Sequence, residues 1–200
     1  MRDFFDLLIA GVGGQGNLVC GEVISHAAIQ QGYSPVIGQI FGASRRGGTV
    51  FTHVRIADGN VGPLIPKGRP DLILGLEALE TLRACVEYGG EQTRVVFSQT
   101  RLDTLASLTG GAKYPSMSDI IQLMSSICKD AVAVDAEKSL EEIGSVRTLN
   151  SYMIGVMIGL EITPLNRDTI EKSIDCLLGS RYPNLEAFQR GISDTIKEKT

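Results

Sequence analysis

Asp6-Leu-Leu-Ile-Ala-Gly11-Val-Gly13-Gly14-Gln15-Gly16 is the stretch whose reading decides the fold. An apolar run of strand length enters a turn of glycines, and the residues beyond it carry the pattern of a helix. Glycine permits a tight turn and close backbone approach. The free N–H groups at the start of the following helix favour an anion there. Downstream comes Phe41-Gly42-Ala43-Ser44-Arg45-Arg46-Gly47-Gly48, a doubly basic loop hinged on glycines and set between two apolar segments. A loop that follows the second strand is expected near the first glycine turn, at the carboxyl edge of the sheet. Its guanidiniums would supply fork-shaped, charge-assisted donors to a phosphate or carboxylate. The candidate anion site is therefore Gly11, Gly13, Gly14, Gln15 and Gly16 with Ser44, Arg45, Arg46, Gly47 and Gly48. No catalytic residue is assigned.

Gly11-x-Gly13-x-x-Gly16 between strand and helix satisfies the first half of a dinucleotide fingerprint. The second half is an acidic residue roughly 20 positions on, at the end of the second strand, where it holds the ribose. Pro35-Val-Ile-Gly-Gln39-Ile-Phe41 offers a glutamine and no carboxylate. No Walker Gly-Lys-Ser/Thr is present either, which argues against ATP hydrolysis.

Working outward, strands are expected over 5–10, 36–41, 49–56, 71–76, 94–98 and 131–135. Helices are expected over 15–31, 77–88, 119–128, 136–143, 149–160, 167–178 and 184–197. Pro164 and Pro183 mark the joins between the last helices, and the stretch 102–116 is turn-rich. Short apolar strands alternating with helices imply βαβ crossovers. The expected fold class is α/β: a three-layer α/β/α sandwich around a largely parallel sheet, with the C-terminal helices packed on it. With no linker or repeat, residues 1–200 read as a single domain.

Composition narrows the function. A hydrophobic fraction of 43% and a charged fraction of 21% are those of a globular chain. A formal net charge of −4 without a basic tract argues against nucleic acid. The opening Met1-Arg-Asp-Phe-Phe-Asp6 is not a signal peptide, and no apolar run reaches the roughly 18 residues of a membrane span, so a cytoplasmic location and no membrane partner are expected. Cys20, Cys85, Cys128 and Cys176 are far apart, with no C-x-x-C pair, and read as buried thiols rather than as iron–sulfur or zinc ligands. His26 and His53 read as structural.

Asn150 opens an apolar helix, where it can cap the helix or contact a ligand. Gly155 and Gly159, four apart on that helix, would admit a close neighbour from this chain or from another subunit.

Gly-Val-Gly-Gly-Gln-Gly at 11–16, Arg46-Gly47-Gly48 and Val50-x-x-x-Val54-Arg55 together resemble the gamma domain of 2-oxoacid:ferredoxin oxidoreductases. So do Asp71-Leu-Ile-Leu-Gly-Leu-Glu-Ala-Leu-Glu-Thr-Leu-Arg83, Asn150 with Gly155, and Asn184-Leu-Glu-Ala-Phe-Gln-Arg-Gly191. The likeness runs in order through nearly the whole chain. It is strongest to the indolepyruvate branch, whose beta subunit is a separate chain of about this size. The stand-alone gamma subunits of the pyruvate and 2-ketoisovalerate oxidoreductases are near neighbours. Two positions depart from the family pattern: Arg45 stands where a glutamine is frequent, and Gln39 where a carboxylate is frequent.

The resemblance implies a Rossmann-like fold and a role within a complex that converts a 2-oxoacid and coenzyme A to acyl-CoA and carbon dioxide, with electrons passing to ferredoxin. It implies that thiamine diphosphate, Mg2+ and iron–sulfur clusters lie on a large alpha subunit. It also implies that this chain helps to form the coenzyme A side of the site, and that the chain alone is inactive. Two other readings stay open at this point: a self-sufficient NAD(P)- or flavin-dependent oxidoreductase, and a nucleotide-binding module without chemistry of its own.

Overall fold

The structure is a computed structural model and describes residues 4–42, 47–57, 59–102, 113–179 and 181–198. In chain order the elements are β1 (Phe4–Val12), α1 (Asn17–Gln30), β2 (Ser34–Phe41), β3 (Thr49–Ala57), β4 (Leu72–Gly75), α2 (Ala78–Tyr88) and β5 (Arg94–Ser98). They continue with α3 (Met117–Ile127), β6 (Asp130–Val134), α4 (Glu137–Ile143), a 3-10 turn (Val146–Thr148), α5 (Leu149–Gly159), α6 (Arg167–Leu178) and α7 (Asn184–Glu198).

One sheet has the order β2-β3-β1-β4-β5-β6. β1, β4, β5 and β6 are parallel neighbours. β3 pairs antiparallel with both β1 and β2, so it alone runs against the other five. The expectation of a largely parallel sheet holds, and the reversal has a simple cause. Only residues 42–48 join β2 to β3, whereas a parallel crossover needs about a dozen residues or more.

Alternation along β1 sorts the core into two layers. Leu7 and Ile9 face the side covered by α1 and α4–α7, while Leu8 and Ala10 face α2 and α3. Complete burial of each such leucine or isoleucine contributes about 1.5–3 kcal/mol. A two-pronged ion pair fixes the β1–β3 register: Arg55 Nε and Nη2 donate to Asp6 Oδ1 and Oδ2 at 2.7 and 3.1 Å, across a directly opposed pair.

The C-terminal helices close the α1 side. Gly155 on α5 and Gly191 on α7 bring the two helices into backbone contact. A methyl group at 155 would lie 2.1 Å from Phe188 O, and one at 191 would lie 2.2 Å from Tyr152 O. The close neighbour of Gly155 and Gly159 is thus α7 of the same chain.

Three cysteines are buried as expected. Cys176 is exposed on α6, because it lies on the face of Asp168, Lys172 and Asp175, away from the buried Ile170, Ser173 and Ile174. Burial pushes the Cys20 thiol up to about 12. His26 Nδ1 is bonded to Ser173 Oγ, which ties α1 to α6. His53 is fully buried in β3, accepts from Ile65 N and lies edge-on to the Tyr88 ring.

Two measurements test this packing. Gly155→Ala should lower the unfolding free energy by about 1–3 kcal/mol or more in urea titration, because backbone must move to admit the methyl group. Gly62→Ala, where nothing lies within 4 Å, should change it by less than about 0.5 kcal/mol. Burial lowers His53 from its usual 6.5 to about 4, so it folds neutral. The unfolded chain then takes up a proton first, and stability should fall as pH drops from 6.5 toward 4, by about 3 kcal/mol for this group. His53→Gln should flatten that slope between pH 6.5 and 5; an unchanged slope would clear His53 of the effect.

Candidate functional site

The carboxyl ends of β1, β4, β5 and β6 gather at one edge of the sheet. After β1 the chain crosses through α1 toward β2 and β3, and after β4 it crosses through α2 toward β5. The two paths diverge between β1 and β4, which is where open α/β sheets place a ligand crevice.

The glycine turn is held tightly on its protein side. Gln15 Oε1 accepts from Val12 N at 2.8 Å, and its Nε2 donates to Leu76 O at 2.9 Å, just beyond the end of β4. Gln15 therefore clips the end of β1 to the end of β4, and its amide is committed within the protein. Asn17 Nδ2 donates to Val12 O at 3.1 Å. A side chain at Gly11 would meet Asn17 Oδ1 at 2.6 Å and Gln15 Oε1 at 2.8 Å, which accounts for the first glycine. Gly14 and Gly16 have φ of 110° and 84°, open to glycine and strained for other residues. The first helical bond of α1 runs from Cys20 N to Gly16 O. The N–H groups of Asn17, Leu18 and Val19 precede it and have no acceptor within the helix.

The two glycine motifs meet. Gly13 N donates to Gly48 O at 2.9 Å and Gly47 N to Gly13 O at 3.3 Å, extending the β1–β3 ladder past Val12 and Thr49. Ser44, Arg45 and Arg46 lie outside the described residues. β2 is not the immediate neighbour of β1, since β3 stands between them. What reaches the glycine turn from the β2–β3 hairpin is Gly47 and Gly48.

A cleft of about 1110 Å³ opens from this turn across the ends of β5 and β6. Gly14, Gln15 and Gly16 form one wall, with Asn150 beside them. Asn150 is the second residue of α5, and Thr148 holds the cap position. Its Oδ1 accepts from Ser151 N at 2.9 Å, and its Nδ2 points at Gly16, where a Cβ would come within 2.8 Å. Asn150 therefore does not hold the cap position, and its amide lies against the glycine turn.

Several cleft residues escaped the sequence reading: Arg101, Asp135, Glu137, Arg147, Arg181 and Tyr182. Arg147 Nη1 donates to the Tyr182 hydroxyl at 2.8 Å, and the Arg147 and Arg181 guanidiniums lie 5.7 and 5.5 Å from the Tyr182 ring centre. A signal existed in Arg147-x-x-Asn150, a spacing that places both residues on one turn. Nothing local foretold Arg181 and Tyr182.

Below the cleft, Glu77 is almost completely buried at the start of α2. Its Oε2 accepts from Glu80 N, while Oε1 accepts from Leu102 N at 3.2 Å and from the Tyr114 hydroxyl. Arg101 lies 4.2 Å over the Tyr114 ring. Burial, then the bond to Glu77, raises the Tyr114 hydroxyl well above the usual phenol value, so it stays a donor.

Among the described residues no three His, Cys, Asp or Glu side chains converge as a metal-binding set. No described helix is long and apolar enough to cross a membrane.

A family model described as pyruvate ferredoxin/flavodoxin oxidoreductase matches residues 6–193. Indolepyruvate oxidoreductase subunit IorB of Archaeoglobus fulgidus is 31% identical over 193 residues, covering 96% of this chain and 95% of that protein. Among solved structures, pyruvate oxidoreductase subunit PORC of Thermotoga maritima superposes with a TM-score of 0.68 at 21% identity, covering 96% and 97% of the two chains. The 2-oxoglutarate:ferredoxin oxidoreductase of Magnetococcus marinus, solved with 2-oxoglutarate, coenzyme A and succinyl-CoA bound, gives a TM-score of 0.72 at 18% identity. The match covers 98% of this chain and 32% of that one. These two structures bear out the α/β fold.

Removing the Gln15 amide tests the clip. Gln15→Ala should cost about 1–3 kcal/mol of stability, by stranding Val12 N and Leu76 O. Gln15→Glu, which exchanges the donor for a second acceptor against Leu76 O, should lose at least as much at pH 7. Unchanged urea midpoints in both would show the clip to be idle.

Proposed function

Because the chain belongs to the pyruvate ferredoxin/flavodoxin oxidoreductase family, we propose that it is the small subunit of a 2-oxoacid:ferredoxin oxidoreductase of the indolepyruvate type. In this reading residues 1–200 form one domain of a cytoplasmic complex. The complex converts a 2-oxoacid and coenzyme A to acyl-CoA and carbon dioxide and passes two electrons to ferredoxin. Thiamine diphosphate, Mg2+ and the iron–sulfur clusters belong to a large alpha subunit, and thiamine diphosphate supplies the carbon–carbon bond cleavage there. This chain supplies binding and positioning.

One observation carries the reading. The glycine turn, the start of α1 and the Asn150 amide share one wall of a cleft large enough for a nucleotide-bearing cosubstrate. Gly14 and Gly16 let the ligand approach backbone, the first-turn N–H groups of α1 face its negative charge, and Asn150 Nδ2 adds a donor. On sequence grounds this reading also assigns Arg45 and Arg46 to the anion, with Ser44 as a further donor. Gly11, Gly13, Gly47 and Gly48 shape the turn, while Gln15 braces it.

The dinucleotide reading loses its geometric basis. The strand beside β1 is β3, which enters the carboxyl edge with Thr49 and Val50, so the place of a ribose-holding acid is taken by the start of an antiparallel strand.

Co-purification from native extract should bring down a large subunit, and acyl-CoA formation should need both chains. An active monomer would overturn the proposal. In the reconstituted complex, Arg46→Ala should weaken the coenzyme A-dependent step roughly ten- to a hundredfold, the worth of one charge-assisted hydrogen bond.

A further inference from the structure

The cleft carries a second grouping besides the glycine turn. Arg147 and Arg181 flank the single ring of Tyr182, and the tyrosine hydroxyl fixes the Arg147 guanidinium. Among the described residues neither guanidinium forms an ion pair with a carboxylate. The acidic residues of the cleft, Asp135 and Glu137, lie just past the end of β6, where Asp135 Oδ1 accepts from Glu137 N. Two like charges gathered about one ring repel each other, and a dianion between them would relieve that repulsion. Two guanidinium forks offer the planar, paired donors that a phosphate monoester takes.

The position of this pair defines the rest of the ligand. Arg147 precedes Asn150 by three residues, so the backbone that carries one lies within a turn of the other. The cleft thus holds two phosphate-binding points, the glycine turn with Asn150 and the Arg147–Arg181 pair. Two such points in one cleft too large for a lone phosphate suit a single ligand that carries two phosphates. We propose that Arg147, Arg181 and Tyr182 form a clamp for the 3′-phosphate of a nucleoside 3′,5′-bisphosphate group, with the 5′-side phosphates at the glycine turn. This rests on the reading of the cleft as the coenzyme A site and adds to it the group that distinguishes coenzyme A from its dephosphorylated form.

The test compares coenzyme A with 3′-dephospho-coenzyme A in steady-state turnover of the reconstituted complex, with thermal melts confirming that each variant is folded. The wild type should prefer coenzyme A by about tenfold or more in kcat/KM, the scale of charge-assisted contacts. Arg147→Ala/Arg181→Ala should raise KM for coenzyme A to the dephospho value, leave the dephospho value nearly unchanged and abolish the preference. Tyr182→Phe, which keeps the ring but releases Arg147, should lose part of it. A wild type without preference, or a double variant that retains it, overturns the clamp. Gly14→Val separates the two claims. If it raises KM for both cosubstrates while the preference survives the arginine substitutions, only the clamp is wrong. If it alters neither KM, coenzyme A does not occupy this cleft and the underlying reading falls as well.

Discussion

The carboxyl edge of this protein depends on one side-chain amide. Gln15 receives a hydrogen bond from its own turn at Val12 and gives one to Leu76, so the ends of β1 and β4 are joined where their crossovers diverge. In an open sheet that divergence leaves a gap. Here the gap is bridged on its protein side, and the free surface lies toward Gly14, Gly16 and the start of α1. A turn stiffened in this way can offer backbone donors in fixed positions, which lowers the ordering cost of ligand binding.

The β2–β3 hairpin has a similar double effect. A connection limited to residues 42–48 forces β3 to reverse. The reversal seats Gly47 and Gly48 against Gly13 at the glycine turn. It also fills the position beside β1 that a ribose-holding acid would need. One short connection thus joins the two glycine motifs and removes the geometry of a dinucleotide site.

Much of this was legible in the chain. The apolar run 5–10, the glycine turn and the strand–helix alternation through Val134 all report on local structure, and the elements fall within a few residues of their expected bounds. What stayed hidden depends on contacts between distant segments. The direction of β3 follows from a loop length combined with a pairing choice. The committed role of Gln15 needs the end of β4, sixty-one positions away. Arg147 and Tyr182 are thirty-five residues apart and meet because α5 and α7 cross at Gly155 and Gly191 with backbone touching backbone. Gly155 was read as a packing position, but periodicity alone could not name the helix that packs there or the side chains it carries along.

Glu77 has a consequence for how this architecture tolerates change. Leu102 departs from its carboxylate and Tyr114 returns to it, so both ends of the intervening chain are moored at one buried point. Loss of that one carboxylate would release the Leu102 N–H and the Tyr114 hydroxyl together, so a single substitution at position 77 unfastens two separate segments of chain at once.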